Sequence, residues 1–207
     1  GQMVIFGGTD GARKNDVWTL NLISYDWTEQ TTSATKPSAR YLHSSILYNG
    51  LMVIFGGLDD SNNNDVWTLN LTSYNWAERT ASAIKPSARN AYSSILYDGR
   101  MVMFGGYDST RKNDAWALNL TSYVWTELTT STTKPSARST HSSICYDGQM
   151  VTFGGYHDSS VLNDVWALQL DLSSTTTTTQ TPTTTTTTQS PTTTTTTETP
   201  ATTTSVS

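Results

Sequence analysis

The chain has 207 residues, 14% of them charged, and a formal net charge of −5. No apolar run reaches the roughly 18 residues of a membrane helix, so no membrane-spanning segment is expected. Mild acidity without basic clusters argues against nucleic acid as the main partner. The one cysteine, Cys145, excludes an internal disulfide framework and a cysteine-based zinc site.

These averages join two compositions. Residues 173–207 hold 22 Thr, 5 Ser and 3 Pro, with one charged residue, Glu198. Residues 1–172 hold all 13 Gly, 7 Trp and 10 Tyr. Within them the pairs Gly7-Gly8, Gly56-Gly57, Gly105-Gly106 and Gly154-Gly155 recur every 49 residues. Trp18, Trp67, Trp116 and Trp166 form one ladder, and Trp27, Trp76 and Trp125 a second. Residues 41–89 and 90–138 share 30 identities in 49 positions, which marks a duplicated structural unit.

The units run about 1–40, 41–89, 90–138 and 139–172. The first opens at Gly1-Gln2-Met3-Val4, which matches Gly148-Gln149-Met150-Val151, so it lacks the first strand of the pattern. No charged-then-apolar leader precedes it. The second unit shows all four strands. Ser-Ser-Ile-Leu-Tyr at 44–48 ends in Asn49-Gly50, a pair that supplies the positive φ angles of a two-residue hairpin. Met52 to Phe55 is apolar on both faces, as in a strand covered on both sides. Asp65 to Leu71 alternates, with Trp67, Leu69 and Leu71 on one face. Tyr74 to Arg79 makes the fourth strand. The third unit repeats the pattern with Asp98-Gly99, and the fourth stops after its third strand.

Four short antiparallel strands per unit, with a period near 50, describe propeller blades. The apolar strand ending in Gly-Gly, then Asn-Asp-Val-Trp-x-Leu, then a Trp nine residues on, resembles the kelch repeat. Lys-Pro-Ser-Ala-Arg followed by x-x-His-Ser resembles the kelch branch with galactose-oxidase-like central domains. The resemblance implies an all-β kelch β-propeller of four antiparallel blade units, the first and last incomplete. Their tally of fourteen strands leads us to expect an arc of a larger ring, or a chain that self-associates through incomplete propeller edges.

The repeated residues Gly7, Gly8, Gly56, Gly57, Gly105, Gly106, Gly154 and Gly155 are read as backbone geometry at positive φ. A phosphate loop would need a following helix, and none follows. Trp18, Trp27, Trp67, Trp76, Trp116, Trp125 and Trp166 are expected to pack between blades. Each buried indole would contribute up to roughly 5 kcal/mol. Arg40, Arg89 and Arg138 have two readings: bonding the carbonyls of an adjacent blade, or facing a central acidic ligand. His43 and His141 recur in register with Tyr92 between them, a pattern of packing rather than metal binding. Cys145 stands where Leu47 and Leu96 stand in other units and is read as core packing.

The stretches after the Gly pairs vary most between units. In a meander they emerge beside the unit-to-unit connections, which is how a constant scaffold carries a binding rim. The candidate binding residues are Arg13, Lys14, Asp59, Asp60, Tyr107, Arg111, Lys112, Tyr156 and His157, together with Arg40, Arg89 and Arg138. Asp59 to Asp65 lacks the central Gly and final Glu of a calcium loop.

No catalytic residue stands out. The copper site of galactose-oxidase-like enzymes needs a Tyr cross-linked to Cys, and no glutamate begins the Glu, Asp, His series of the iron-dependent kelch proteins. No cofactor and no metal is expected. A carbohydrate-active oxidase or epimerase of kelch type is the weakest alternative.

The tail repeats every nine residues as Gln180-Thr181-Pro182, Gln189-Ser190-Pro191 and Glu198-Thr199-Pro200. It holds too little apolar surface to offset chain entropy, so disorder is expected. Its composition resembles an O-glycosylated, mucin-like stalk; an unmodified spacer is the alternative. Asn70-Leu71-Thr72 and Asn119-Leu120-Thr121 are N-glycosylation sequons. The resulting expectation is a non-enzymatic, surface-tethered or secreted module with a protein or glycan partner. The alternative is an intracellular kelch adaptor for ubiquitin ligases, cytoskeleton or vesicle traffic.

Overall fold

A computed structural model describes residues 1–80, 82–128 and 132–170. The expected stalk at 173–207 lies outside the described residues. Fourteen strands form four antiparallel sheets and no helix is present among the described residues. Sheet one holds β1 (Gln2–Thr9), β2 (Arg13–Asn21) and β3 (Trp27–Glu29). Sheet two holds β4 (Ser44–Tyr48), β5 (Leu51–Phe55), β6 (Val66–Asn70) and β7 (Trp76–Arg79). Sheet three holds β8 (Ser93–Tyr97), β9 (Arg100–Phe104), β10 (Ala115–Asn119) and β11 (Trp125–Leu128). Sheet four holds β12 (Ser142–Tyr146), β13 (Gln149–His157) and β14 (Ser160–Gln169). Strands neighbour one another in chain order, so every sheet is a meander.

Local chemistry sets the strand ends. Asn49 and Gly50 have φ of 47° and 74°, the paired positive values of a primed hairpin, and Asp98-Gly99 and Asp147-Gly148 repeat them. The fourth strand starts at Trp76, later than the Tyr74 expected. Asn70 Oδ1 accepts from the Thr72 and Ser73 amides, and Tyr74 sits at φ 54°. That side-chain-capped turn holds Tyr74 out of the ladder.

The stretches after the Gly pairs are not all loops. In sheets one and four the ladder shifts register at the Gly pair and continues to Thr9↔Arg13 and His157↔Ser160. Arg13, Lys14, Tyr156 and His157 therefore lie on strands, beyond a glycine bulge. In sheets two and three pairing lapses after Phe55 and Phe104, leaving the single bridges Leu58↔Asn62 and Tyr107↔Arg111.

Three apolar clusters join the sheets in sequence. Phe6 and Val17 of sheet one pack on Met52, Ile54, Trp67, Leu69 and Trp76 of sheet two. Val53, Phe55 and Val66 of sheet two pack on Met101, Met103, Trp116, Leu118 and Trp125 of sheet three. Val102, Phe104 and Ala115 of sheet three pack on Met150 and Leu168 of sheet four. Trp76 meets the Phe6 ring edge-on at 4.7 Å and Trp125 meets Phe55 at 4.8 Å. The second Trp ladder is thus a wedge set into the phenylalanine of the preceding sheet. Trp27 is 47% exposed, because no described sheet precedes its own.

Cys145 corrects the packing expectation: it is exposed, like Leu47 and Leu96 at the same register. These positions pair with Met52, Met101 and Met150 on the face that packs on the preceding sheet, so alternation does not expose them. They stand on the edge strands β4, β8 and β12, where burial stops short.

Candidate functional site

The connections between sheets and the hairpins after the Gly pairs lie on one side of the molecule. The bridges Tyr41↔Leu58, Asn90↔Tyr107 and Ser139↔Tyr156 stitch them together. The Gly8, Gly57 and Gly106 amides donate to the Arg40, Arg89 and Arg138 carbonyls at 2.9–3.0 Å. A Cβ on Gly7, Gly56 or Gly105 would stand 2.7 Å from those same carbonyls, so the approach admits only glycine.

The arginines close this side from within. Arg40 Nη1 donates to the Gly56 carbonyl at 2.9 Å and to Asp65 at 2.6 Å. Its Nη2 donates to Asp65 at 2.8 Å and to Ser38 Oγ at 2.8 Å, and Nε donates to the Ser38 carbonyl at 3.2 Å. All five guanidinium N–H groups are used. Arg89 repeats the set on Gly105, Asp114 and Ser87. Arg138 repeats it on Gly154, Asp164 and Ser136. Each backbone is clamped to one sheet while its side chain pairs with the next, so each arginine rivets two sheets. With exposures of 2%, 1% and 0%, the three offer no N–H to a ligand. The central-ligand reading gives way to the structural one.

The paired aspartates were not singled out in the sequence. Arg138 hydrogen bonds hold the Asp164 carboxyl at about 2, against the opposing effect of burial. Burial would raise Asp114, but its Arg89 bonds win and its pKa is lowered. Each aspartate also accepts from the indole two residues on, as Asp65 does from Trp67 at 2.8 Å. The available signal was Asn-Asp two residues before every Trp of the first ladder, 25 or 26 residues after each arginine.

His43, Tyr92 and His141 form a second set of joints. The Tyr92 hydroxyl donates to the Phe55 carbonyl, and His141 Nε2 bonds the Phe104 carbonyl at 3.1 Å. His43 bonds the Phe6 carbonyl in the same way. In both histidines Nδ1 is buried without a partner. Burial, reinforced by the Arg40 or Arg138 charge, lowers each imidazole to about 4. Among the described residues no three His, Cys, Asp or Glu side chains gather as a metal site.

The outer rim is charged and self-paired. Arg13 reaches across from sheet one to Asp60 at 2.7 Å. Lys14 pairs with Asp10 and Lys112 with Asp108, both at 2.9 Å. Asp59 accepts from Ser38 Oγ at 2.7 Å and from the Ser61 amide at 3.0 Å, bonds that outweigh burial and hold it at about 2. Over sheets three and four the rim turns aromatic. Tyr107 and Tyr156 occupy equivalent positions and are 38% and 44% exposed, while their backbones stay bridged. The Arg111 guanidinium lies 6.0 Å from the Tyr107 ring centre and 4.0 Å from Asp158 of sheet four. His157 Nδ1 contacts the Ala137 carbonyl at 2.6 Å. The structure thus brings Arg13 to Asp60 and Arg111 to Tyr107, and keeps the three buried arginines apart from both groups.

The KLHDC2/KLHL20/DRC7 Kelch-repeats domain family matches residues 1–132 and 59–201. A stretch of 50 residues is 42% identical to the host cell factor homolog hcf-1 of Caenorhabditis elegans, covering 22% of this chain and 6% of that protein. The chain therefore spans only a small part of that relative's length. Kelch domains bind proteins and are generally non-catalytic. Four meander sheets, the Gly pairs, the two Trp ladders and the family match agree: the chain belongs to the kelch-repeat family.

Proposed function

We propose that the chain is a non-enzymatic binding module that presents the rim over sheets three and four to a protein partner. The observation that carries this reading is the pair Tyr107 and Tyr156, exposed at equivalent positions on pinned backbone. Tyrosine and arginine dominate protein interfaces because they offer large contact area at low entropic cost. Arg111 and His157 flank the tyrosines, and Lys112, Asp59, Asp60, Arg13 and Lys14 form the polar border. The paired charges of the border suit a rim that excludes water rather than an anchor.

The test is quantitative affinity capture with the wild-type chain, a Tyr107→Ala/Tyr156→Ala variant and a Tyr25→Ala variant. Tyr25 is exposed at the turn between β2 and β3, on the opposite side. The reading predicts proteins retained by the wild type and the Tyr25 variant but lost with the double variant. Equal retention by all three would sink it, and retention of free glycans by the rim would move the partner to a sugar.

The surface-tethered setting belongs to the same proposal. It is supported by the Thr-rich composition of residues 173–207; the two sequons add little, because their asparagines end β6 and β10 and cap the turns that follow. A mass unchanged by glycosidases on native material would remove it.

A further inference from the structure

Asn49-Gly50 is the one Asn-Gly pair in the chain. The equivalent hairpins of sheets three and four carry Asp98-Gly99 and Asp147-Gly148 instead. All three turns share one geometry. The first residue has φ of 47°, 45° and 47°, and the glycine 74°, 67° and 70°. Asparagine and aspartate both tolerate that left-handed conformation. Asn49 and Gly50 are exposed. Gly50 has no side chain to shield its amide nitrogen, and nothing lies within 4 Å of where its Cβ would stand.

We propose that Asn49 is a site of spontaneous deamidation, and that the fold accepts one of its two products. The Gly50 nitrogen attacks the side-chain carbonyl carbon of Asn49. The side-chain nitrogen takes up the proton that Gly50 gives up and leaves as ammonia. Water then opens the resulting succinimide. Cleavage of the new carbon–nitrogen bond leaves aspartate in the original backbone. Cleavage at the main-chain carbonyl leaves isoaspartate, with the chain rerouted through the side-chain carbons. In a primed turn ψ of the first residue is about +30°, which turns the glycine nitrogen away from that side chain, so local opening of the hairpin limits the rate.

Aspartate is the residue sheets three and four already use, so that product keeps the turn. Isoaspartate adds a backbone carbon to a two-residue loop whose length fixes the register of β4 on β5. The Gly50 carbonyl also accepts from the Leu71 amide at 3.0 Å, a bond repeated between Leu120 and Gly99 and between Leu170 and Gly148. A longer backbone at position 49 displaces that carbonyl and loosens the tie to the turn after β6.

The test incubates the full 207-residue chain in mildly alkaline buffer, folded and in urea. Ion exchange follows acidic species, peptide mass mapping locates them, and isoaspartyl methyltransferase labels the isomer. The folded chain should convert at Asn49, more slowly than the unfolded chain, while Asn70 and Asn119 stay intact. Asn49→Asp should abolish the new acidic species and keep the wild-type melting temperature. The isoaspartate fraction, separated from the aspartate fraction, should melt lower. Asn49→Gln should abolish conversion, because its longer side chain closes the ring poorly. A folded chain that stays intact at Asn49 while the unfolded chain converts overturns the proposal. So does conversion spread evenly over the exposed asparagines. An Asn49→Asp variant that melts well below the wild type, or product fractions that melt alike, overturns the claim that the fold accepts one product.

Discussion

Sheets two and three share most of their sequence pattern with sheets one and four, yet their side chains have different surroundings. Phe55 is 0% exposed and its equivalent Phe153 is 56% exposed; Trp76 is 6% exposed and Trp27 is 47%. The residue types match and the backbone register is the same. Burial here is a property of the neighbour, as expected for a solenoid-like array whose units contact only adjacent units. The repeat specifies a blade with two sticky faces, and the core arises only when blades meet.

The strongest way to sharpen that contrast is to delete the same side chain in both settings. Phe55→Ala should cost about 3–5 kcal/mol in denaturant unfolding, since it leaves a cavity lined by Trp125 and Tyr92. Phe153→Ala should cost less than about 0.5 kcal/mol in the monomer, as an exposed position. Similar losses at both positions would break the comparison.

The same contrast holds for charge. Arg89→Ala should cost about 3–5 kcal/mol, because it strands Asp114 and the Gly105 carbonyl. Arg13→Ala removes only an exposed ion pair with Asp60 and should fall below about 1 kcal/mol. Thermal unfolding of the two variants side by side checks the difference.

The histidines divide the joints differently. His43 and His141 titrate near 6.5 in the unfolded chain and at about 4 in the fold. Between those values the unfolded state binds more protons, so stability is complete above pH 6.5 and is lost as pH falls toward 4. Each ring should account for about 3 kcal/mol of that loss. Tyr92 makes the equivalent bond in the joint between sheets two and three without titrating in this range. The variants His43→Tyr and His141→Tyr should flatten the acid slope measured by urea denaturation, and Tyr92→His should steepen it. Asn70→Ala should cost about 1 kcal/mol, from loss of the turn bonds to Thr72 and Ser73. Its removal should not alter rim binding.

The fold was legible because its signals are local and repeated. Asn49-Gly50 fixes a hairpin wherever it occurs, and Met52 to Phe55 announces burial on both faces without reference to any partner. The Gly pairs pointed to positive φ, although the carbonyls they approach, 33 residues on, are visible only in three dimensions. The rivets were half legible. Three arginines at one register stood out, but their aspartates lie 25 or 26 residues later and looked like part of a strand signature. Cys145 was misread because an apolar equivalent, Leu47, suggested burial, while both stand on sheet-edge strands, exposed beside the buried Met150 and Met52. The rim stretches of sheets one and four looked like loops because their composition is polar, yet a glycine bulge lets the ladder run through them. Partner chemistry was the least legible, since a rim is recognised by which side chains stand together rather than by their order.

Hydrogen–deuterium exchange of the wild-type chain, at a concentration low enough to keep it monomeric, tests the central claim most directly. Amides of β5, β6, β9 and β10 should be the most protected, because neighbours cover both faces of their sheets. Those of β1, β2, β13 and β14 should exchange faster despite longer ladders and matching sequence. Equal protection across all four sheets would contradict the account, because blade stability would then come from the sequence of each unit and not from its neighbours.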